Sequence, residues 1–261
     1  MAGGPFHFVP WDGGCLFIGR NGGLVPEHAH YAIQIAFGSV PGIRFQAGAQ
    51  HPWREYAGVV IASRQPHAMD VTQLPANVVL FVEPETREGR AITERWIESG
   101  ISALPESLVQ DVATPLFAAY FDYPTRGAVE RAARRVIHTL TGGVEPAVVT
   151  DERIVRAIAH INAHLDRPLS LDDVASVACL SPSRFRHLFV EQTGVGLRPY
   201  VLWRRFLHVW SLLTAGESLS TAAHAAGFAD AAHLSRTSRS TFGFPPSAMQ
   251  MARALPDDRA R

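Results

Sequence analysis

The chain has 261 residues, 47% of them hydrophobic and 18% charged, with no formal net charge and two cysteines, Cys15 and Cys179. That length accommodates two ordinary domains, and the composition suits globular domains and excludes both a disordered chain and a disulfide scaffold. No apolar run reaches the roughly 18 residues of a membrane span, and Met1 to Gly14 lacks the basic start and apolar run of a secretory leader, so a cytoplasmic setting without membrane contact is expected.

The balanced charge conceals an asymmetry. Residues 1–145 hold 11 Arg against 14 Asp plus Glu. Between Pro182 and Arg239, seven arginines (Arg184, Arg186, Arg198, Arg204, Arg205, Arg236 and Arg239) face only Glu191, Glu217 and Asp230. An acidic front and a basic back suit a chain whose C-terminal part alone meets phosphate.

From Phe6 to about Phe81, short apolar runs are broken by Gly and Pro: Cys15-Leu16-Phe17-Ile18, Ile33 to Phe37, Val59 to Ala62 and Val78 to Val82. Their length and β-branched content predict strands of an all-β barrel or double-sheet roll. After Pro84-Glu85-Thr86 the period becomes helical, predicting helices over roughly Arg90–Ser99, Glu106–Phe121 and Arg126–Thr141. Thr141 to Pro146 reads as a linker.

Beyond it, Thr150 or Asp151 can cap a helix with Ile154, Ile158, Ile161 and Leu165 on one face, stopped by Pro168. Ser170 and Asp173 form a capping-box start for Leu171–Ala178, and Cys179-Leu180-Ser181 makes a turn. Ser181 then caps a helix with Pro182 at its first position, burying Phe185, Leu188 and Phe189, and Gly194 closes it. Pro199 to Ala215 reads as one long helix. A second short-helix, turn and helix unit follows: Leu219-Ser220 opens Thr221–Ala226, Gly227 turns at positive φ, and Asp230 caps Ala231–Thr241. Two such units, about 169–193 and 219–242, are each built to place a second helix in a major groove.

These residues resemble the AraC/XylS family of bacterial transcription regulators. The resemblance runs from about Leu169 to Ser247. It is carried by Leu171-Asp172-Asp173-Val174-Ala175, Ser181-Pro182-Ser183-Arg184-Phe185, Thr193-Gly194 and Pro199-Tyr200-Val201. It continues in Arg204-Arg205-Phe206, Ala222 to Phe228, His233 to Thr237 and Phe242-Gly243-Phe244-Pro245-Pro246-Ser247. Two positions depart from it: Ser238 stands where an aromatic core residue is usual, and Trp210 where a small one is.

The resemblance implies recognition helices in successive major-groove segments, roughly 34 Å apart. It assigns base reading to Ser183, Arg186 and His187 in the first unit and to Ala232, His233, Ser235 and Arg236 in the second. Arg186 and Arg236 lead, because arginine pairs bidentately with guanine. Arg184, Arg204 and Arg239 are expected on phosphates. RNA polymerase, a homodimer partner contacted through the helices of 106–141, and a small-molecule effector are the other implied partners.

The front half resembles, less specifically, the cupin-like sensing domain of such regulators. Gly22, then His28-Ala29-His30 and Gln34, follows the first cupin motif with Gln in place of Glu; Gly58 to Pro66-His67 is a remnant of the second. Alternate strand residues share a face, so His28, His30 and His67, with Gln34 nearby, are candidate ligands for a divalent metal. The same histidines equally suit a structural role or an organic effector. Phe17, Phe37, Phe45, Trp53 and Phe81 are candidate effector-pocket residues, and His51 a turn residue.

The expected architecture is α+β. A cupin-like β-barrel with a helical extension occupies residues 1–145 (strands about 6–83, helices about 90–141). An all-α domain of two helix-turn-helix units joined by a long helix occupies 146–255. The expected function is an effector-controlled, sequence-specific DNA-binding regulator without catalytic residues. The alternatives are a metal-dependent cupin enzyme fused to a DNA-binding domain, and a DNA-binding protein whose front domain only dimerises.

Overall fold

A computed structural model of the chain describes residues 6–147, 149–242, 245–247, 252–253 and 255–258. Gly243 and Phe244, two residues of the resemblance, lie outside the described residues. Nine strands come first: β1 (Phe6–Trp11), β2 (Gly14–Arg20), β3 (Leu24–His28), β4 (Ile33–Gly38), β5 (Ile43–Gln46), β6 (Arg54–Tyr56), β7 (Gly58–Ile61), β8 (His67–Asp70) and β9 (Ala76–Val82). A helical extension follows: α1 (Arg87–Trp96), β10 (Ile101–Ala103), α2 (Glu106–Asp122) and α3 (Arg126–Thr141). The rest is α4 (Glu152–Ala163), α5 (Leu171–Val177), α6 (Pro182–Thr193), α7 (Leu197–Thr214), α8 (Leu219–Ala225), α9 (Ala231–Phe242) and β11 (Ala252–Arg253).

The strands form two sheets, β10-β7-β4-β9-β2-β1-β11 and β3-β8-β5-β6. The larger sheet is covered on both faces, which is why every residue of β4 is buried. Along β4 and β9, Ile33, Ile35, Phe37, Val78, Leu80 and Val82 pack outward under α1, α2 and α3. Their strand neighbours Ala36, Val79 and Phe81 point the other way, into a core shared with Ile43, Phe45 and Met69 of the smaller sheet.

Local chemistry sets the helix ends. Thr86 caps α1 by accepting from the Gly89 N–H at 2.9 Å, so the helix starts three residues before the predicted Arg90. Asp151 caps α4, Ser170 and Asp173 make the expected capping box, and Ser181 caps α6 with Pro182 behind it. Gly194 closes α6 at φ 78°. The structure corrects two more boundaries and adds two strands. α4 ends at Ala163, with His164 turning the chain well before Pro168. α8 is capped by Ser218, whose hydroxyl accepts from the Thr221 N–H at 3.1 Å, and not opened by Ser220. Two short strands, β10 and β11, escaped the sequence patterns; β11 pairs in parallel with β1.

The helix-turn-helix units differ in what they pack against. The first has its own core, in which Ile154, Ile161, Val174, Phe185 and Phe189 are fully buried. The second has none of its own: Trp203, Phe206, Trp210, Leu234 and Phe242 belong to the same core as the interior of the β domain. Trp210 lies 4.6 Å from Phe8, ring centre to ring centre, and Phe242 lies 5.9 Å from Phe81. The seam is also hydrogen-bonded. Tyr31 N–H donates to the Thr241 carbonyl at 3.0 Å, and the Trp203 indole N–H donates to the Trp11 carbonyl at 3.3 Å.

Candidate functional site

Both second helices present polar side chains away from their cores. On α6, Ser183, Arg184, Arg186 and His187 are exposed while Phe185 and Phe189 are fully buried. The opposition follows from the helical period, which puts residues 185 and 189 on one face. On α9, Ala232, His233, Arg236 and Arg239 are exposed and Ser235 is half-buried. Leu234 and Ser238 point inward, both fully buried. The Ala229 N–H donates to Nδ1 of His233 at 3.3 Å, leaving Nε2 as the ring's outward-facing polar atom. Asp230 caps this helix through the His233 N–H at 2.6 Å.

The two turns share a backbone requirement with different residues. Gly227 sits at φ 71° and Cys179, eight residues into its own unit, at φ 55°. Gly227 also lies where a Cβ would come within 2.2 Å of the Leu165 carbonyl oxygen and 2.8 Å of the Arg205 guanidinium. The Arg205 guanidinium in turn donates to the Arg167 carbonyl at 2.8 Å. The second unit's turn is thereby fixed against the end of α4, and so against the first unit.

Arg204 is placed differently from its expected role on phosphate. It forms an ion pair with Asp12, in the turn between β1 and β2, and donates to Asn162 Oδ1 at 2.9 Å. A front-domain carboxylate thus occupies the guanidinium that phosphate contact requires.

In the β domain, His28, His30 and His67 converge as the motif predicts. Their ring nitrogens lie within 4.8 Å of one another, and the ring centres are 4.4 to 5.6 Å apart. His28 Nδ1 donates to the Pro26 carbonyl and His67 Nδ1 to the Gln65 carbonyl, both at 2.8 Å. That fixes tautomers whose Nε2 atoms carry lone pairs. His67 Nε2 is buried without a hydrogen-bond partner among the described residues. His30 Nδ1 donates to the Ala32 carbonyl, and its Nε2 lies 2.8 Å from the Gln34 amide. Burial holds His28 below its ordinary pKa and pushes His30 down to about 4 and His67 to about 3, so the cluster is neutral at physiological pH. Neutral imidazoles are the metal-binding form, but a tetrahedral site with metal–nitrogen bonds of about 2.1 Å brings nitrogens to about 3.4 Å. These three histidines would have to close together by up to about 1.4 Å, and His30 would have to release Gln34.

Of the aromatic residues expected to line a pocket, Phe17, Phe45 and Phe81 do face the interior. Phe37 does not: it lies in the outer core, 6.2 Å from Phe117 of α2. Gln34 faces the interior from the same strand, and a residue three positions away must face the opposite side. Trp53 is likewise outside, beneath the Arg44 guanidinium at 5.5 Å. His51 is exposed in its turn.

The fold and surface therefore define a β domain joined to a tandem helix-turn-helix. The model of a family described as a helix-turn-helix domain matches residues 174–252. The chain is 32% identical over 99 residues to the regulatory protein PocR of Salmonella typhimurium, covering 38% of this chain and 33% of that one. It is 30% identical over 121 residues to the arabinose operon regulatory protein of Escherichia coli, covering 46% and 41%. It thus spans between a third and about two fifths of the length of these relatives. Among solved structures, ToxT of Vibrio cholerae with an unsaturated fatty acid bound aligns over 95% of both chains, with 11% identity and a TM-score of 0.49. An AraC-type transcriptional regulator from Chromobacterium violaceum aligns over 38% of this chain and 89% of its own, with 27% identity and a TM-score of 0.36. Residues 174–252 thus match a helix-turn-helix domain, and 38% to 46% of the chain is similar to these two regulatory proteins.

Proposed function

We propose that this protein is a sequence-specific DNA-binding transcription regulator whose β domain responds to a small-molecule effector. The observation that carries the reading is the pair of capped helices, α6 and α9, each presenting Arg and His outward over a buried apolar face. In this reading residues 1–145 form the effector and dimerisation domain and 146–255 the DNA-binding domain. Ser183, Arg186 and His187, with Ala232, His233, Ser235 and Arg236, meet base edges. Arg184 and Arg239 meet phosphate, joined by Arg204 once Asp12 releases it. RNA polymerase and a second copy of the chain are the protein partners, the protein works in the cytoplasm, and it carries no catalytic site.

An effector alters DNA binding only by its different affinity for two conformations. The core shared by the β domain and α9 gives that difference a physical route. Purified protein should prefer a fragment of the DNA upstream of its own gene over random DNA, with affinity falling steeply as salt rises. Equal binding to both DNAs would sink the reading.

A second reading, a divalent metal on His28, His30 and His67, is favoured by the unpartnered Nε2 of His67. In that reading the metal serves as a structural or sensory ion, because Gln34 supplies no carboxylate for redox chemistry. Elemental analysis of the protein and of His28→Ala decides it: the metal should be present in the first and absent in the second. No metal in the unaltered protein, after growth with zinc, iron and manganese supplied, counts against it.

A further inference from the structure

Arg205 of α7 sits in the joint between the two helix-turn-helix units. Its guanidinium donates to the Arg167 carbonyl at 2.8 Å, in the segment that leads from α4 to α5 of the first unit. The same group lies against the turn of the second unit, where a Cβ on Gly227 would come within 2.8 Å of its Nη2. The Leu165 carbonyl crowds that Cβ as well, so the backbones of the two units meet here beside one guanidinium. The position is costly for a cation. Nε is buried and has no hydrogen-bond partner among the described residues, and burial holds the guanidinium below its ordinary pKa against the pull of Asp166. A methionine of similar length would fill the space without that desolvation. What the guanidinium adds is a charge-assisted bond across the joint.

The joint matters because α7 alone leaves one freedom open. A helix of 18 residues fixes how far apart the units stand, but the rotation of one against the other about its axis is set by side contacts. Arg204 makes a neighbouring link to Asn162 of α4, but it also serves Asp12 of the β domain. Tyr31 holds α9, and Arg90 reaches the Gly194 carbonyl at the end of α6; both bonds come from the front half of the chain, and neither runs from unit to unit. We propose that Arg205 is a positioning residue that sets the angle between α6 and α9, and with it the one half-site spacing on DNA that both helices read together. This deepens the regulator reading above and rests on it. Each base pair added between half-sites moves the second by about 3.4 Å and turns it by about 35°. A braced joint cannot follow that turn; a loosened one can.

The probe is a site enriched by the full chain from random duplexes about three turns long, with versions carrying one base pair inserted or deleted between its half-sites. The unaltered protein should bind the two altered duplexes about tenfold or more weakly, since one recognition helix loses a bidentate base contact. Arg205→Met should bind all three duplexes within about threefold of one another. A merely stabilising arginine would instead leave the variant weaker on all three alike, with the tenfold ratio intact, and that result overturns the proposal. Arg205→Gln serves the same comparison if Arg205→Met does not fold. A readout without DNA is the distance between spin labels on Cys179, exposed in the first unit's turn, and on Ser240→Cys, exposed near the end of α9. Cys15 is buried and stays unlabelled. The distances should be narrowly spread with Arg205 in place and broader in Arg205→Met; an equal spread also overturns the proposal. If the unaltered protein enriches no sequence, the regulator reading fails, and the label distances still decide whether Arg205 sets the joint.

Discussion

Trp210 of α7 meets Phe8 of β1 edge-on at 4.6 Å, so the helix joining the two helix-turn-helix units contributes a side chain to the β-domain core. The contact extends to Phe242 at 4.7 Å and Phe206 at 5.6 Å, an aromatic group spanning the seam. A displacement in the β interior therefore reaches the second helix-turn-helix by direct packing, while the first unit keeps its own core.

Trp210→Ala should cost about 3–5 kcal/mol, the range for removing a large buried aromatic. It should also divide unfolding. Calorimetry of the unaltered protein should show the β domain and second unit melting together, and the variant should show an earlier, separate transition. A single, unshifted transition would contradict the shared core.

Arg186→Ala should weaken binding to specific DNA more than Arg236→Ala does. Loss of a bidentate base contact is worth about 1–3 kcal/mol. Arg186 rides on a helix with its own rigid core, whereas α9 is seated on the β domain. The reverse order in a binding titration would refute this.

Asp12→Asn frees Arg204 for phosphate. Its effect is read from the salt dependence of DNA affinity: the slope of log K against log salt should steepen by about 0.9, one more phosphate neutralised. An unchanged slope means that Arg204 does not face DNA.

Cys179 holds a backbone angle that glycine adopts without steric cost. Cys179→Gly should stabilise the first unit by about 0.5–1 kcal/mol, the αL penalty less the added entropy of glycine. Gly227→Ala should do the opposite by about 2 kcal/mol or more, since both the φ and the Leu165 carbonyl oppose a Cβ. Chemical denaturation of each variant checks both signs.

Glu83 gives a pH signature. Burial, reinforced by Glu85, raises its pKa from 4.5 to about 7. Between those values the folded state binds more protons than the unfolded one, so this group's contribution to stability falls as pH rises from about 4.5 to about 7. The full penalty, about 3 kcal/mol, is present above pH 7. Glu83→Gln should therefore stabilise the protein at pH 8 and be nearly neutral at pH 4.5. Equal effects at both values would show an ordinary carboxyl.

The caps, the helix faces and the positive φ at Gly227 were legible because they depend on residues close in sequence. The convergence of His28, His30 and His67 was legible only through motif spacing, since their strands meet by tertiary pairing. Phe37 was misplaced although strand parity with Gln34 already excluded it. The positive φ of Cys179 was hidden by a side chain that usually avoids it, and aligning its turn with Gly227 is the signal that finds it. Trp210 stood out as too large for its position, but what it fills belongs to a strand some 200 residues earlier. The Asp12–Arg204 pair arises at the same seam, where no local pattern reports on what will meet.

The hydrogen bond from Tyr31 to the Thr241 carbonyl has a consequence for engineering. With Phe81 and Phe242 packed beside it, this backbone link makes the two halves a matched set, not interchangeable parts. A chimera that joins this helix-turn-helix half to a foreign β domain inherits a surface cut to fit Phe8, Phe17 and Phe81. Those three side chains, and the loop carrying Tyr31, would have to be transplanted with it.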